Sequence, residues 1–480
     1  MRSIVFIACV CLCVTTALAR TITVDDDGAA EFSDIQSAIN DANDCDVIMV
    51  ADGTYTGSNN MDIDFDGKLI VLRSVNGPNS TIIDCQNYGR AFYFHKSETQ
   101  EAKVIGFTIK NGYVTADSGG AIYVGDSGPT IHNCILINNT AEYSGGAIVF
   151  DDALQPVVSN CTIVNNTAEK CSGGGIYAWF SDLTIKNCVI ASNRAGHSGY
   201  SGYGGGLLLY ASGVYDIINC TIVDNNDAMG GGGVYIFYNA DVLISDSIVY
   251  GNDGVQIAEY DTAVPPIVEY SDIQAGFAGL GNIDVDPCFV DANTGDYHLK
   301  SSAGCWDPTY DSADMDGDGL VNLLDYAILA KAWQLGDANS EADLNHDEII
   351  DTQDLLIFVA KYLADANGGW WVYDDATSRC IDAGNPGAAL ACEPAGIHNI
   401  RINLGAYGRT AQASGTPVQW SLLADLTNDG KIDFVDFAHM AEDWLQSGFE
   451  QFADLSRDGI VDGADISLFV ENWLDTTSWH

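Results

Sequence analysis

Basic side chains, proline and long apolar runs are all scarce in this 480-residue chain. Only 19 Lys and Arg face 67 Asp and Glu, so the formal net charge is −48. That charge excludes nucleic acids and anionic membranes as simple electrostatic partners, and it disfavours naked polyuronates unless a cation bridges the two. Only 10 prolines accompany 50 glycines, which indicates ordered structure with many tight turns rather than a disordered linker.

The longest apolar stretch, residues 4–14, precedes the small-residue sequence Ala-Leu-Ala at 17–19. This order is typical of a secretory signal peptide, so we predict removal of residues 1–19 and a mature protein that is secreted, extracellular or on the cell surface. The stretch is too short to span a bilayer comfortably, and no later stretch reaches about 18 apolar residues. A lipoprotein anchored near Cys9 is a weaker alternative, because little apolar sequence precedes that cysteine.

A motif of two glycines, a small residue and an aliphatic residue recurs through the middle of the chain. Its aliphatic positions are spaced 26, 28, 31 and 27 residues apart. The five copies begin at Gly119, Gly145, Gly173, Gly204 and Gly231. In phase with them run a column of cysteines and, five residues further on, a column of asparagines. They are Cys134, Cys161, Cys188 and Cys220, continued by Ser247, and Asn139, Asn166, Asn193, Asn225 and Asn252.

A repeat of about 27 residues with such columns predicts the stacked turns of a parallel β-helix. Equivalent residues of successive turns lie about 4.8 Å apart in a coil of this kind and form ladders. Inward cysteines would fill the core as small apolar groups, stacked asparagines would hydrogen-bond at a turn, and glycines would supply positive φ at corners. We therefore expect the cysteines to be buried free thiols rather than a disulfide set or a metal site.

This layout resembles secreted right-handed parallel β-helix proteins of the pectin-lyase-like superfamily, and the Gly-Gly repeats resemble those of polymorphic outer-membrane proteins. The resemblance implies an all-β fold of three-strand coils over residues 20–305. A short amphipathic helix at 32–42 is expected to cap the first coil and block edge pairing.

The cap at the far end of the coil looks split in two. Residues 286–299 resemble the first half of a cap found in many bacterial β-helix proteins, and residues 370–415 contain the second half. An acidic insert at 306–369 separates the two halves. Disulfides at the junction are left open, and the candidate pairs are Cys305 with Cys392 and Cys288 with Cys380.

Oxygen-bearing residues recur in the insert with the spacing of calcium-binding loops. In the first loop they occupy positions 1, 3, 5, 9 and 12, with glycine at position 6 and a backbone carbonyl at position 7. Hard oxygen donors in this order converge on one cation. A second loop follows 29 residues on, and residues 416–480 repeat the pair, so the sequence predicts up to four Ca²⁺ ions. The predicted ligands are Asp314, Asp316, Asp318, Leu320, Asn322 and Asp325; Asp343, Asn345, Asp347, Ile349, Asp351 and Asp354; Asp425, Thr427, Asp429, Lys431, Asp433 and Asp436; and Asp454, Ser456, Asp458, Ile460, Asp462 and Asp465.

Aspartate at position 12, paired loops and one helix after each loop resemble type I dockerins, the modules that dock enzymes onto cohesins. The resemblance implies two small α modules of the dockerin or EF-hand kind, and a cohesin-like partner. Loop positions 10 and 11, which carry cohesin recognition in dockerins, show little two-fold repetition here. The modules are therefore either docking tags or braces within the chain.

No recognisable catalytic motif is present, so enzyme activity stays open. Hydrolases of polysaccharides need two carboxylates, and lyases need Arg or Lys as a base beside a uronate. Weak candidates are Arg194 and His197, on the longest inter-repeat loop, and Asp151, which forms a carboxylate pair with Asp152. A solvated loop and an acidic turn explain the same residues more simply.

Aromatic residues recur on the strand that follows each Gly-Gly corner. Alternation along the strand directs every second side chain outward. In-register stacking would gather the outward rings into two stripes on one face, suited to stacking on sugar CH groups unless loops or the insert cover them. The candidate carbohydrate-binding residues are Tyr123, Tyr177, Trp179, Tyr210, Tyr235 and Phe237.

The sequence thus favours a secreted calcium-binding β-helix protein that is carbohydrate-associated, through polysaccharide binding or through extracellular assembly by its dockerin-like modules. A polysaccharide lyase or glycoside hydrolase is the first alternative, and a structural surface protein or adhesin is the second. The expected partners are a polysaccharide or cell-surface glycan and a cohesin-like protein, with no nucleic acid and no transmembrane segment. The fold by itself does not choose among these functions.

Overall fold

A computed structural model describes the fold of most of the chain. The described residues are 19–307 except 29, 197–198 and 263; then 315, 323–335, 342, 350, 355 and 358–359; and finally 370–393, 399–448, 451–477 and 479. Up to residue 273 the chain winds as a coil of short parallel strands that stack into four sheets. Among the described residues, no helix is long and apolar enough to cross a bilayer.

Sheets 1 and 2 run along almost the whole coil and have ten and nine strands. The strands of sheet 1 are Thr21–Val24, Val47–Val50, Val71–Ser74, Lys103–Ile105, Thr130–His132, Val157–Ser159, Leu183–Lys186, Val214–Ile218, Asp241–Ser245 and Ile267–Glu269. The strands of sheet 2 are Gly53–Tyr55, Thr81–Asp84, Thr108–Lys110, Ile135–Ile137, Thr162–Val164, Val189–Ala191, Thr221–Val223, Ile248–Tyr250 and Asp272–Ile273.

Sheets 3 and 4 complete the coil with seven and five strands. The strands of sheet 3 are Phe92–Phe94, Ile122–Gly125, Ile148–Asp151, Ile176–Trp179, Leu207–Tyr210, Val234–Phe237 and Ile257–Tyr260. The strands of sheet 4 are Tyr113–Val114, Thr140–Ala141, Thr167–Ala168, Arg194–Ala195 and Asn226–Asp227. A typical turn passes from sheet 3 to sheet 1, then to sheet 2 and then to sheet 4.

Sheet 4 adds a fourth strand to several turns of the coil, where the sequence predicted three strands per turn. Its strands are two residues long and lie between the asparagine column and the next Gly-Gly corner. Equivalent positions of successive turns pair in register, as where Ala141 pairs with Ala168. This register lets even a two-residue segment continue the backbone hydrogen-bond ladder. The repeat therefore predicted the coil but not its fourth side.

The interior of the coil is one continuous apolar core. The side chains that alternation predicts to point inward on sheet 3 are fully buried; they are Ile122, Val124, Ile176, Ala178, Val234 and Ile236. The predicted thiol column is also confirmed: Cys134, Cys161, Cys188 and Cys220 are buried and free. Along this column the backbone N–H of Cys134 donates to Sγ of Cys161 at 3.4 Å.

The asparagine column forms a continuous buried ladder of hydrogen bonds. Asn193 donates from its backbone N to Oδ1 of Asn225 at 2.9 Å and from its Nδ2 to the same oxygen at 3.0 Å. Asn225 repeats both bonds to Asn252, at 3.0 and 2.9 Å. Each Nδ2 also reaches a carbonyl of the preceding turn, as from Asn225 to Ile190 at 2.8 Å. The predicted ladder is therefore confirmed.

A helix covers the first turn of the coil. It spans Ile35–Asp41, shorter than the predicted 32–42, because Asp34 caps it by accepting a hydrogen bond from the backbone N of Ser37 at 2.8 Å. Its buried residues Ile35, Ala38 and Ile39 belong to the coil core. A short 3₁₀ helix follows at Ser58–Asn60.

The two halves of the split cap pack together at the other end. The first half is an antiparallel hairpin of Phe289–Asp291 and Asp296–Leu299. Leu299 shares a buried cluster with Cys380, Ile381 and Leu404 from the second half. This cluster joins segments that are separated by the insert in sequence.

The cysteines at this junction are free thiols. Neither of the open pairs, Cys305 with Cys392 or Cys288 with Cys380, is therefore bonded. Sγ of Cys380 donates to Oδ2 of Asp272 at 3.3 Å.

Buried carboxyl groups in and around the cap predict a pH-dependent stability. Burial raises the pKa of Asp272 to about 7, of Glu393 to about 7 and of Asp382 to about 6. Because these folded-state pKa values lie above the ordinary ones, the folded state binds protons more tightly, and stability is lost as pH rises from about 4 to 7. Thermal unfolding across this range should show the loss, and Asp272→Asn should flatten it. Stability that rises over the same range would contradict the assignment.

The insert leaves and rejoins the coil through a two-stranded ribbon. Cys305–Asp307 pairs antiparallel with Trp370–Val372. The helix Leu323–Leu335 and a small apolar cluster that includes Leu329 and Phe358 lie within the insert.

The C-terminal segment has its own apolar core and two helices. They are Phe434–Glu442 and Gly463–Glu471. Leu426, Ile432, Met440, Leu455 and Phe469 contribute to this core.

Candidate functional sites

The third predicted calcium loop folds around the carboxylate of Asp425. Its Oδ1 accepts a hydrogen bond from the backbone N of Asp429 at 3.1 Å, and its Oδ2 accepts one from Gly430 at 2.8 Å. Gly430 has φ +90°, a left-handed conformation that favours glycine at the sharp turn of the loop. At position 12, Asp436 accepts from the backbone N of Thr427 and of Asp433 at 3.1 and 2.9 Å. Position 12 thus ties both ends of the loop together and caps the helix that follows.

The fourth loop repeats this arrangement residue by residue. Asp454 accepts from the backbone N of Asp458 at 3.1 Å and of Gly459 at 2.7 Å. Asp465 accepts from the backbone N of Ser456 at 2.8 Å and of Asp462 at 2.7 Å. The two loops therefore adopt one geometry, although half of their twelve positions differ.

Burial of the position 1 and position 12 carboxylates suits a cation. The hydroxyl of Thr427 lies 3.4 Å from Oδ1 of Asp425 and 3.0 Å from Oδ1 of Asp436. Burial raises the pKa of Asp425 to about 6 and also raises the pKa of Asp436. Two nearby buried carboxylates repel each other, and a divalent cation with oxygen ligands would offset that repulsion. The residues of the loop therefore fit Ca²⁺.

Other predicted ligands of the third loop face a side-chain cation. Lys431 Nζ lies 3.5 Å from Oδ2 of Asp429 and 3.1 Å from Oδ2 of Asp433. In the described parts of the chain, no three Asp, Glu, His or Cys side chains converge into a metal cluster. Each C-terminal loop would therefore offer a cation two buried carboxylates together with hydroxyl and backbone oxygens.

The ligands predicted in the insert are outside the described residues, apart from the backbone of Asp325 within the helix Leu323–Leu335. They remain predictions from the sequence.

The outward aromatic stripes are present on sheet 3. Register pairs Asp151, Trp179, Tyr210 and Phe237 across successive strands, and pairs Tyr123, Val149, Tyr177, Leu208 and Tyr235 in the same way. Trp179 is 37% exposed, so the described residues do not bury it. Val149 and Leu208 occupy outward-facing positions of the strand but are buried. The stripe that contains Val149 and Leu208 is therefore interrupted, and the stripe that contains Trp179 is more exposed.

Several rings of this face stack on each other. Tyr210 and Phe237 lie 5.5 Å apart with planes at 23°, and Tyr235 and Phe237 lie 5.0 Å apart at 25°. A ligand lying along these rings would meet their edges and the tyrosine hydroxyls. Trp179, by contrast, is tilted against Phe180 at 56°.

Three exposed rings of this face were missed from the sequence. Phe180 and Tyr238 follow directly after Trp179 and Phe237. Tyr260 pairs with Phe237 on the next strand, which no Gly-Gly motif precedes. Phe180 and Tyr238 have φ of +46° and +48°, at corner positions where Asp152 stands in another turn. A bulky residue in this left-handed conformation is uncommon. Shifting the stripe positions by one residue would have found both.

The aromatic patch, as we call Trp179, Phe180, Tyr210, Phe237, Tyr238 and Tyr260, has two parts that adjoin through the pairing of Trp179 with Tyr210 in the strand register. Trp179 contacts Phe180 at 5.3 Å between ring centroids, and the other four rings contact one another. Tyr238 contacts Tyr210 at 5.3 Å, Phe237 at 5.2 Å and Tyr260 at 6.1 Å between ring centroids. Trp179, Phe180, Tyr238 and Tyr260 are each 37–53% exposed. Exposed apolar surface of this kind marks a binding site more often than a structural feature.

Of the weak catalytic candidates, the two described ones, Asp151 and Arg194, lie on different sheets. Asp151 lies at the end of a strand of sheet 3, where its Oδ2 accepts a hydrogen bond from the hydroxyl of Tyr123 at 2.7 Å. Arg194 lies on sheet 4 with an exposed side chain, and His197 is outside the described residues. A Cβ at Gly125 would lie 3.0 Å from the ring of Tyr123, so glycine there lets the ring reach Asp151.

Two family models match the chain. Residues 70–263 match the model described as right handed beta helix region, and residues 312–364 match the model described as Dockerin type I domain. No curated protein matches the chain.

The solved structures that resemble this chain include two pectin-related proteins. Pectate lyase Pel9A has 15% identity and a TM-score of 0.45, over 81% of this chain and 96% of that one. Pectin methylesterase from carrot has 13% identity and a TM-score of 0.26, over 53% of this chain and 89% of that one. The four stacked sheets show a parallel β-helix fold, residues 70–263 are similar to the right handed beta helix family, and residues 312–364 are similar to type I dockerin domains.

Proposed function

We propose that this protein is a secreted, calcium-binding β-helix protein that binds a polysaccharide and takes part in extracellular assembly. The observation that carries the proposal is the aromatic patch, a group of neighbouring, partly exposed rings along one sheet of the coil. The match of the insert to type I dockerin domains supports the assembly role. Rings that are fixed on a rigid sheet bind with little loss of conformational entropy. A stack of strands also repeats the binding groups along a line, as a linear polymer requires.

An uncharged or weakly charged glycan suits this surface best. The chain carries a net charge of −48, which repels polyuronates unless calcium bridges the two. Tyr210, Tyr238 and Tyr260 combine apolar rings with hydroxyl groups that can exchange hydrogen bonds with sugar hydroxyls.

Calcium and assembly belong to the two loop pairs. The dockerin match at 312–364 supports a cohesin-like partner for the insert. In the C-terminal pair, Asp425, Asp436, Asp454 and Asp465 would hold the ions. Calcium would supply a charge that lets these buried carboxylates stay ionised, and the full set of predicted loops would take up to four ions.

Substitutions in the patch give the direct test of glycan binding. Trp179→Ala and Phe180→Ala are each expected to weaken binding to a neutral polysaccharide about fivefold to tenfold, with little loss of stability, because both rings are outside the core. Affinity electrophoresis against a polysaccharide panel would measure this. Binding should change little with salt, since ring contacts carry no net charge.

Trp444→Ala is the matched control, because Trp444 is 41% exposed but lies in the C-terminal segment. It should leave glycan binding unchanged. Equal losses from Trp179→Ala and Trp444→Ala would contradict a site on sheet 3. Release of sugar products that Arg194→Ala abolishes would instead favour the lyase or hydrolase, and no binding to any glycan would favour a structural protein.

A further inference from the structure

Both C-terminal loops turn the same edge toward the coil. Position 4 is Asn428 in the third loop and Arg457 in the fourth, and both have φ of +58°. Asn428 donates from Nδ2 to the carbonyls of Gly281 and Ala383, at 2.7 Å each. Gly281 belongs to the end of the coil and Ala383 to the cap, so one loop side chain joins both.

The fourth loop makes the equivalent contact with the cap alone. The guanidinium of Arg457 donates to the carbonyl of Ile400 at 2.6 Å and to that of Pro386 at 3.3 Å. Both loops therefore contact the cap through the side chain at position 4, and the third loop also contacts the end of the coil.

The coil and cap also reach back into the third loop. The hydroxyl of Tyr270, at the end of a sheet 1 strand, donates to the carbonyl of Leu426 at 3.2 Å. Arg401, from the cap, donates from Nη1 to the carbonyl of Asp425 at 2.8 Å. Arg401 is only 1% exposed and also bonds the carbonyl of Gly384 through Nε at 2.9 Å. A buried guanidinium held by carbonyls in this way fixes the loop firmly.

A close backbone contact completes the interface. A Cβ at Gly387, in the cap, would lie 1.8 Å from the carbonyl oxygen of Gln451. Only glycine allows the C-terminal segment to approach the cap this closely.

We propose that the C-terminal loop pair is a calcium-dependent lock on the end of the β-helix. The lock rests on the proposed calcium binding, and it assigns this pair to the chain's own cap rather than to a partner protein. Positions 1 and 4 belong to the same short loop as the ligands at positions 1, 3 and 5. Any ion that fixes the loop backbone therefore also fixes the groups that hold the coil and the cap.

Linkage makes the effect reciprocal. If calcium strengthens docking on the cap, docking must strengthen calcium binding by the same factor. The loop edge of the C-terminal segment is then occupied within the chain. We accordingly assign closure of the coil to the C-terminal pair and docking of a partner to the insert.

Calcium titration of the full chain tests the reciprocal effect. The background protein would carry Asp314→Ala and Asp343→Ala, which remove the predicted carboxylate ligand at position 1 of each insert loop. Calorimetry would then report calcium binding by the C-terminal pair alone. On this background, Asn428→Ala with Arg457→Ala is expected to weaken calcium binding about tenfold, although neither side chain is a predicted ligand. Gln446→Ala with Glu471→Ala, two exposed positions of the same segment, is the matched control and should leave affinity unchanged.

Hydrogen exchange of the unsubstituted chain tests the lock without relying on a variant that folds. Calcium is expected to slow amide exchange at least about tenfold in residues 267–285 and 380–405, where the coil end and cap meet the loops. Calcium that binds to the C-terminal pair without changing this exchange would overturn the lock but not the calcium function. Unchanged affinity in the Asn428 and Arg457 double variant would also overturn it. Absence of calcium binding at this pair would overturn both the lock and the proposed calcium site.

Discussion

Replacing Asn225 by alanine is expected to destabilise the coil by roughly 4 kcal/mol. The side chain of Asn225 accepts two hydrogen bonds from Asn193 and donates to Asn252 and to the carbonyl of Ile190. Alanine would leave the backbone N–H of Asn193 without a partner in a fully buried site, and would remove one hydrogen bond each from Asn193 Nδ2, Asn252 Oδ1 and the carbonyl of Ile190. Each buried polar group without a partner costs about 1–3 kcal/mol. Chemical denaturation that follows the β-sheet signal would measure the change.

Asn226→Ala is the matched control, one residue further along the chain. Asn226 is exposed and donates from Nδ2 to Oδ2 of Asp253 at 2.7 Å on the surface. Its loss is expected to change stability by about 0.5 kcal/mol or less. Equal effects of the two substitutions would show that the asparagine ladder contributes no more than an ordinary surface residue.

Calcium is expected to raise the free energy of unfolding of the C-terminal segment by about 4 kcal/mol for each site when free calcium is about a thousandfold above Kd. The reason is that the buried carboxylates of Asp436 and Asp465 repel other loop carboxylates until an ion binds. Calorimetry with and without a chelator would measure the gain, on the chain that carries Asp314→Ala and Asp343→Ala.

Asp436→Ala with Asp465→Ala is expected to remove most of this gain. Both substitutions also remove helix caps, so the quantity to compare is the calcium-dependent increment in each protein and not its absolute stability. Asp475→Ala changes an exposed aspartate nearby and should keep the full increment. An increment that survives in the double variant would show that calcium binds elsewhere in the chain.

The two family matches agree with what the motifs alone predicted. The Gly-Gly corners and the cysteine and asparagine columns predicted a parallel β-helix, and residues 70–263 match that family. The loop spacing predicted a dockerin in the insert, and residues 312–364 match it. The family comparison does not extend to the second predicted module, at 416–480, which therefore remains a proposal supported by the geometry of its loops.

Misses occurred where a position depends on its neighbours in space. Phe180 and Tyr238 were missed because their corner conformation does not follow the two-residue alternation of a strand. Val149 and Leu208 occupy positions that alternation directs outward, yet both side chains are buried. The catalytic candidates stay predictions: Arg194 lies on sheet 4, and its proposed partner His197 is outside the described residues.

The repeat, the ladders and the spacing of the calcium loops can be recognised from the amino-acid sequence without the structure. These features are local or periodic, and each needs only residue types at fixed intervals. Tertiary structure alone decided which edge of the C-terminal loops faces the coil, and that Asn428, Arg457 and Arg401 join the loops to the cap. In these contacts a single side chain donates to backbone carbonyl groups of a distant segment. Because every residue has a carbonyl group, the sequence does not show which one will accept the hydrogen bond.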